Sequence, residues 1–145
     1  MSKNEKIYYE NFKDAVERNR KKIPAVYKKL KNAGVKYVLS SWIDLHGIPK
    51  SKPVPMSDFE QLCLGKGPQF AVHSISFVPE LTPADSDQVM LPDLNSVYIC
   101  PWDKTTAIIF ADLFWEEKPY NVCPRQALKR AMQSTGFRLC RYGWY

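Results

Sequence analysis

Two histidines, His46 and His73, and four cysteines at positions 63, 100, 123 and 140 are the side chains best suited to metal or nucleophilic chemistry in this chain. Their spacing argues against both uses. No two cysteines stand close enough for a Cys-x-x-Cys redox or zinc pair, and no His-x-x-x-His pair exists. A Gly-rich phosphate loop and a Ser-His-Asp order are also missing. The chain opens Met1-Ser2-Lys3-Asn4-Glu5-Lys6, without the apolar core of a signal peptide, so a cytoplasmic protein with buried thiols is expected. Read from residue types alone, no side chain is assigned a catalytic role and none a metal.

What is left to do chemistry is charge, and its meaning depends on the elements that carry it. The net charge is +6, but residues 1 to 36 hold 11 Lys or Arg against 4 acids while the remainder holds 10 against 11. The whole basic excess therefore lies in the amino-terminal segment. Arg18-Asn19-Arg20-Lys21-Lys22 and Lys28-Lys29 offer phosphate contacts in principle. No nucleic-acid motif accompanies them, and a solvated helix face explains them better, so a nucleic-acid partner is not expected. No apolar run approaches the roughly 18 residues of a membrane span.

The chain has 145 residues and 45% apolar content, enough for one domain with a core. Tyr8 to Arg20 reads as a polar helix touching down at Phe12, Ala15 and Val16. Pro24 suits the first position of a second helix, buried through Val26, Tyr27, Leu30 and Ala33 and ended by Gly34. Lys36 to Asp44 alternates as a strand, with Tyr37, Leu39 and Ile43 on one face and Val38 and Trp42 on the other. Asp44-Leu45-His46-Gly47 is a turn, and the proline-rich run Ile48 to Pro55 pairs back as an edge strand. Ser57 is placed to cap a short helix through Cys63. Gly65-Lys66-Gly67-Pro68 opens an irregular region reaching about Gln88, of a length that is usually functional. Strands are expected around Val89, at Val97 to Cys100 and at Ala107 to Leu113. Pro124 then starts a helix whose stripe Ala127, Leu128, Ala131 and Met132 is expected to face inward, up to Gly136. Asp44 and Asp93 read as turn-fixing acids, and Arg125 as the partner of a nearby acid. The order predicts an α+β sheet with packed helices.

Three blocks in this order resemble the amino-terminal domain of the glutamine synthetase family. They are Trp42-Ile43-Asp44-Leu45-His46-Gly47 with the lysines after it, Ser86-Asp87-Gln88-Val89-Met90-Leu91-Pro92-Asp93, and Ala107-Ile108-Ile109-Phe110-Ala111-Asp112 with Cys123-Pro124-Arg125. They fall between Tyr37 and Phe137, and their wording looks closer to the divergent γ-glutamyl amide synthetase branches. The resemblance implies a β-grasp-like curved mixed sheet with packed helices over residues 36–136. A basic helical segment over 1–35 precedes it, and 137–145 would begin a catalytic domain.

The resemblance further implies ATP-dependent joining of glutamate to ammonia, or to an amine, through a γ-glutamyl phosphate. In that family ATP and Mg²⁺ or Mn²⁺ are held mostly by glutamates of the second domain, beginning with Glu-x-Glu, as hard cations require. Here Phe137-Arg138-Leu139-Cys140 is followed by Arg141-Tyr142-Gly143-Trp144-Tyr145, without an acid. The expectation is a chain truncated before its catalytic domain, holding no cofactor and inactive alone. The family's substrate latch reads Phe-Asp-Gly-Ser-Ser, and the matching place reads Phe70-Ala71-Val72-His73-Ser74. His73 and Ser74, with Asp87 near the latch, are the candidate substrate-site residues, and Ala71 disfavours ammonium. Self-association or a catalytic glutamine synthetase-type subunit is the expected partner. The alternative is a stand-alone β-grasp interaction subunit that docks on a separate catalytic chain.

Overall fold

Asn11 opens the first helix because its side-chain oxygen accepts the Asp14 amide at 2.9 Å, satisfying a donor that the helix itself cannot pair. In the computed structural model, which describes residues 10–71, 82 and 84–135, helix α1 then runs unbroken over Phe12–Asn32. This corrects the expectation of two helices meeting at Pro24. The exposed ring of Pro24 removes one helical hydrogen bond on the solvent side. The buried stripe Ala15, Asn19, Ile23 and Leu30 continues straight past it, and packing overrides the break. Gly34 adopts φ +79°, while the Val35 amide bonds the Leu30 carbonyl at 3.1 Å. Gly34 thus ends α1 in a left-handed cap, as the sequence leads one to expect.

Strands β1 (Tyr37–Ile43) and β2 (Pro49–Pro55) form the expected hairpin, with β2 at the sheet edge where its prolines cost no ladder bond. A 3₁₀ turn over Met56–Asp58 leads into α2 (Phe59–Cys63). Ser57 does not cap it: neither element has a side-chain cap, and α2 is held by burial of Phe59, Leu62 and Cys63. The region read as irregular contains a two-residue strand, β3 (Gln69–Phe70), and ends where β4 (Gln88–Pro92) begins. Short β5 (Tyr98–Ile99), long β6 (Thr106–Trp115) and short β7 (Lys118–Pro119) follow, then α3 (Pro124–Thr135).

Among the described residues the strands make one sheet in the order β2-β1-β6-β4-β3, with β5 and β7 also paired to β6. The β1–β6 pairing is parallel and the others antiparallel. The sheet curls into a half-barrel, and with its three helices it is the α+β, β-grasp-like architecture expected. The main core joins Ile23 and Leu30 of α1 to Phe59 and Leu62 of α2 and to Val38, Val54, Ala107 and Ile109 of the sheet. A second cluster gathers Trp42, Phe70, Met90, Leu113, Tyr120 and Cys123. No described helix is long and apolar enough to cross a membrane.

Helix α3 overturns one expectation. Its buried side chains are Gln126 and Lys129, whereas Leu128 is 49% exposed and Ala131 is exposed as well. The polar side of the helix faces the sheet because Asp112 waits there as a counter-charge. The β6–β7 turn is also unusual, since Glu116 and Glu117 both have positive φ, at 49° and 59°. Two-residue hairpin turns of this hand favour Asn-Gly. The double substitution Glu116→Asn, Glu117→Gly is expected to stabilise the fold by about 1–2 kcal/mol, read as a higher urea midpoint.

Candidate functional site

One of the three two-residue strands leads to the latch position expected from the sequence. β3 pairs with β4 through only two residues, Gln69 with Val89 and Phe70 with Gln88. Continuing that antiparallel register sets Ala71 opposite Asp87 at the open end of the ladder. Ala71 is half-buried and Asp87 exposed. Of the residues expected at the substrate latch, Asp87 immediately precedes β4, and Ala71 immediately follows β3. His73 and Ser74 lie outside the described residues.

Such a short ladder holds poorly alone, and side chains from the far side of the sheet reinforce it. The Trp42 ring of β1 stacks on Phe70 with centroids 4.4 Å apart and planes 14° from parallel. Lys52 of β2 donates its ammonium to the Gln69 carbonyl. These two contacts reach across the mouth of the half-barrel and tie β3 to the β1–β2 hairpin. Nothing in the periodicity of the sequence announced them, because the pairing is between strands that are not neighbours in the sheet.

The hairpin is itself fixed by Asp44, whose carboxylate accepts the His46 and Ile48 amides at 2.9 Å each and faces Lys50 Nζ at 3.3 Å. Burial alone raises this carboxyl, but the two amides and Lys50 outweigh it and hold it below the ordinary carboxylate value. The sign follows from linkage. A depressed folded pKa stabilises the protein above the unfolded value, and that contribution disappears as pH falls through the folded one. Asp44→Asn is expected to lower stability at neutral pH and to flatten the acid limb of stability against pH below about 4. A urea titration at several pH values reads both effects.

A second charged centre lies under α3. Asp112 of β6 accepts from Arg125 Nε at 3.0 Å and from the Lys129 ammonium, and Arg125 also pairs with Asp93. Asp112 and Lys129 side chains are each 7% exposed. Asp93 in turn accepts the Asn95 amide at 3.1 Å and so fixes the turn after β4. The expectations for Arg125 and Asp93 hold, while Asp112 and Lys129 were missed. Lys129 falls between the apolar positions of α3, and its burial becomes legible only once Asp112 is seen beneath it.

Among the described residues, one face of the sheet has little cover. Tyr37, Leu39 and Ile43 of β1 share it with Ile108 and Phe110 of β6 and with Tyr98 of β5, and the register pairs Ile108 with both Leu39 and Tyr98. Tyr37 is 51% and Tyr98 43% exposed, and the others are half-buried. Large contiguous apolar patches are a common feature of interfaces.

The described residues contain no group of three His, Cys, Asp or Glu able to hold a metal ion. Cys63, Cys100 and Cys123 are buried free thiols, and burial pushes the Cys63 and Cys123 thiols upward, away from the reactive thiolate. The described residues offer a tethered strand end followed by Ala71, with Asp87 just before β4, and a partly exposed apolar sheet face.

Comparison with known proteins places this geometry. No protein-family model matches the chain. A glutamine synthetase of Rhizobium meliloti (strain 1021) is 37% identical over 97 residues, covering 67% of this chain and 22% of that protein. A glutamate–methylamine ligase of Methyloversatilis universalis is 29% identical over 117 residues, covering 79% of this chain and 25% of that protein. Among solved structures, GmaS (γ-glutamylmethylamide synthetase) without ligand superposes with a TM-score of 0.66 at 29% identity, over 72% of this chain and 24% of that one. GmaS in complex with ADP gives a TM-score of 0.69 at 27% identity, over 77% and 25%. The chain thus spans about a quarter of the length of these relatives, in their amino-terminal part.

Proposed function

Because the chain belongs to the glutamine synthetase family, matching the amino-terminal quarter of its members, we propose that it is the amino-terminal domain of an ATP-dependent glutamate–amine ligase and is inactive alone. The domain's sheet lies within residues 36–136, helix α1 of the preceding basic segment packs into the same core, and the start of a catalytic domain follows. Its role is to close the substrate site of a catalytic body that carries the ATP- and Mg²⁺- or Mn²⁺-binding carboxylates. The observation that carries this reading is the apolar sheet face built by Tyr37, Leu39, Tyr98, Ile108 and Phe110, which has little cover among the described residues.

The substrate follows from Ala71. At the place of the family's acid, a methyl group neither attracts ammonium nor accepts its proton, and it leaves room for an alkyl substituent. Asp87, opposite Ala71 in the extended β3–β4 register, supplies the remaining negative charge at this strand end. His73 and Ser74 are the further polar groups of the latch. The amine is bound here, and phosphoryl transfer belongs to the catalytic body. ATP with its metals, when bound there, supplies the activation of the glutamate carboxylate.

The test is reconstitution. This chain is co-expressed with a glutamate–methylamine ligase from which the amino-terminal quarter has been removed, and γ-glutamylmethylamide and glutamine are measured with methylamine or ammonium as substrate. The expected result is ATP-dependent product from the pair but from neither part alone, with methylamine preferred. Ala71→Asp is expected to shift the preference toward ammonium by about tenfold, the scale of one charge contact. A pair that forms no product, or that prefers ammonium before the substitution, contradicts the reading.

A further inference from the structure

Among the described residues, two polar side chains in the second core cluster and beside it have no hydrogen-bond partner. Gln88 is fully buried, at 0% exposure, and neither its amide nitrogen nor its amide oxygen is hydrogen-bonded; Trp42 is 5% exposed and its indole Nε1 is likewise unbonded. Buried polar atoms are nearly always satisfied, and an orphan is costly to leave unpaired. The two groups also meet the same neighbour. Trp42 stacks on Phe70, and Phe70 is the register partner of Gln88. Their chemistry is complementary to one small molecule: the indole only donates, and the amide both donates and accepts.

We propose that Trp42 Nε1 and the Gln88 side chain share a buried water, and that this water, with the Trp42–Phe70 stack, fixes β3 and so positions Ala71. A water accepts the indole hydrogen, donates to the Gln88 oxygen and leaves the amide nitrogen a second lone pair, the two to four contacts such waters make. The two-residue ladder to β4 and the Lys52 contact leave the side-chain face of Phe70 to this site. Trp42 and Gln88 are positioning residues, since neither touches a reacting atom. Only the importance given to Ala71 rests on the ligase reading; the water site stands on the buried groups themselves.

The test is a double-mutant cycle on the full chain with Trp42→Phe and Gln88→Met, read by urea unfolding, together with a search for water contacts of the Trp42 indole hydrogen by NMR. Each single substitution removes one anchor of the water and is expected to lower the folding equilibrium constant about tenfold beyond the change in packing. The double substitution is expected to cost much less than the product of the two, because both act on one molecule. A cross-peak between the slowly exchanging indole hydrogen and water is expected in the native protein. Gln88→Met that raises stability overturns the proposal, since it means a dry orphan has been removed. So do multiplicative effects of the two substitutions, or an indole hydrogen without a water contact. None of these readouts needs ligase activity, so a failed reconstitution with an intact cycle removes the ligase reading alone.

Discussion

Asp112→Ala is expected to destabilise the protein by about 3–5 kcal/mol, the cost of breaking a buried ion pair from one side. The substitution leaves Lys129, whose side chain is 7% exposed, without its counter-charge, and removes one of the two carboxylates that hold Arg125. Helix α3 has little apolar contact to compensate, since its buried side chains are Gln126 and Lys129. Loss of helical signal from α3 and a lower urea midpoint are the expected readouts. The converse substitution behaves differently. Lys129→Met keeps Asp112 paired with Arg125 and adds apolar contact, so its expected cost is below about 1.5 kcal/mol. Equal losses from the two variants would show that the cluster is solvated and that α3 is held by something else.

Asn19→Ala is expected to cost about 2–3 kcal/mol, although the residue sits in the middle of a basic run. Its fully buried amide nitrogen donates to the carbonyl of Cys63 at 3.0 Å and to that of Pro92 at 2.8 Å. One side chain thereby ties α1 to the end of α2 and the end of β4. Removing it strands two buried carbonyls, and Asn19→Leu does not rescue them because volume is not what is missing. A leucine variant as stable as the parent would mean that the two carbonyls find water instead.

How far the sequence shows this arrangement depends on the range over which each feature is determined. The β1–β2 hairpin, the Gly34 cap, the strand β6 and the start of α3 follow from local alternation, turn chemistry and caps, and all stand where the residues indicate. Asn19 carries a signal that periodicity offers but composition hides: it falls on the stripe of Ala15, Ile23 and Leu30, among charges that draw attention away. The inward face of α3 is misread for a similar reason. Leu128 and Met132 suggest an apolar seam, but the partner face presents Asp112, and the choice is made by a strand distant in sequence. The Trp42–Phe70 stack and the Gln88 pairing lie further out of reach, because they depend on the sheet curling until β1 side chains meet β3. Of the candidate site, Ala71 and Asp87 come from the resemblance alone, and the register then sets them opposite one another.

The central claim, that this domain closes the site of a catalytic body, is tested most directly by binding. Analytical ultracentrifugation of the chain mixed with a glutamate–methylamine ligase lacking its amino-terminal quarter measures it without any turnover. The account predicts a stable complex that Ile108→Glu abolishes, since a carboxylate placed between Leu39 and Tyr98 is desolvated on docking. It predicts that Lys28→Glu, on the exposed surface of α1, leaves the complex intact. Failure to bind, or binding that survives Ile108→Glu and is lost with Lys28→Glu, would contradict it.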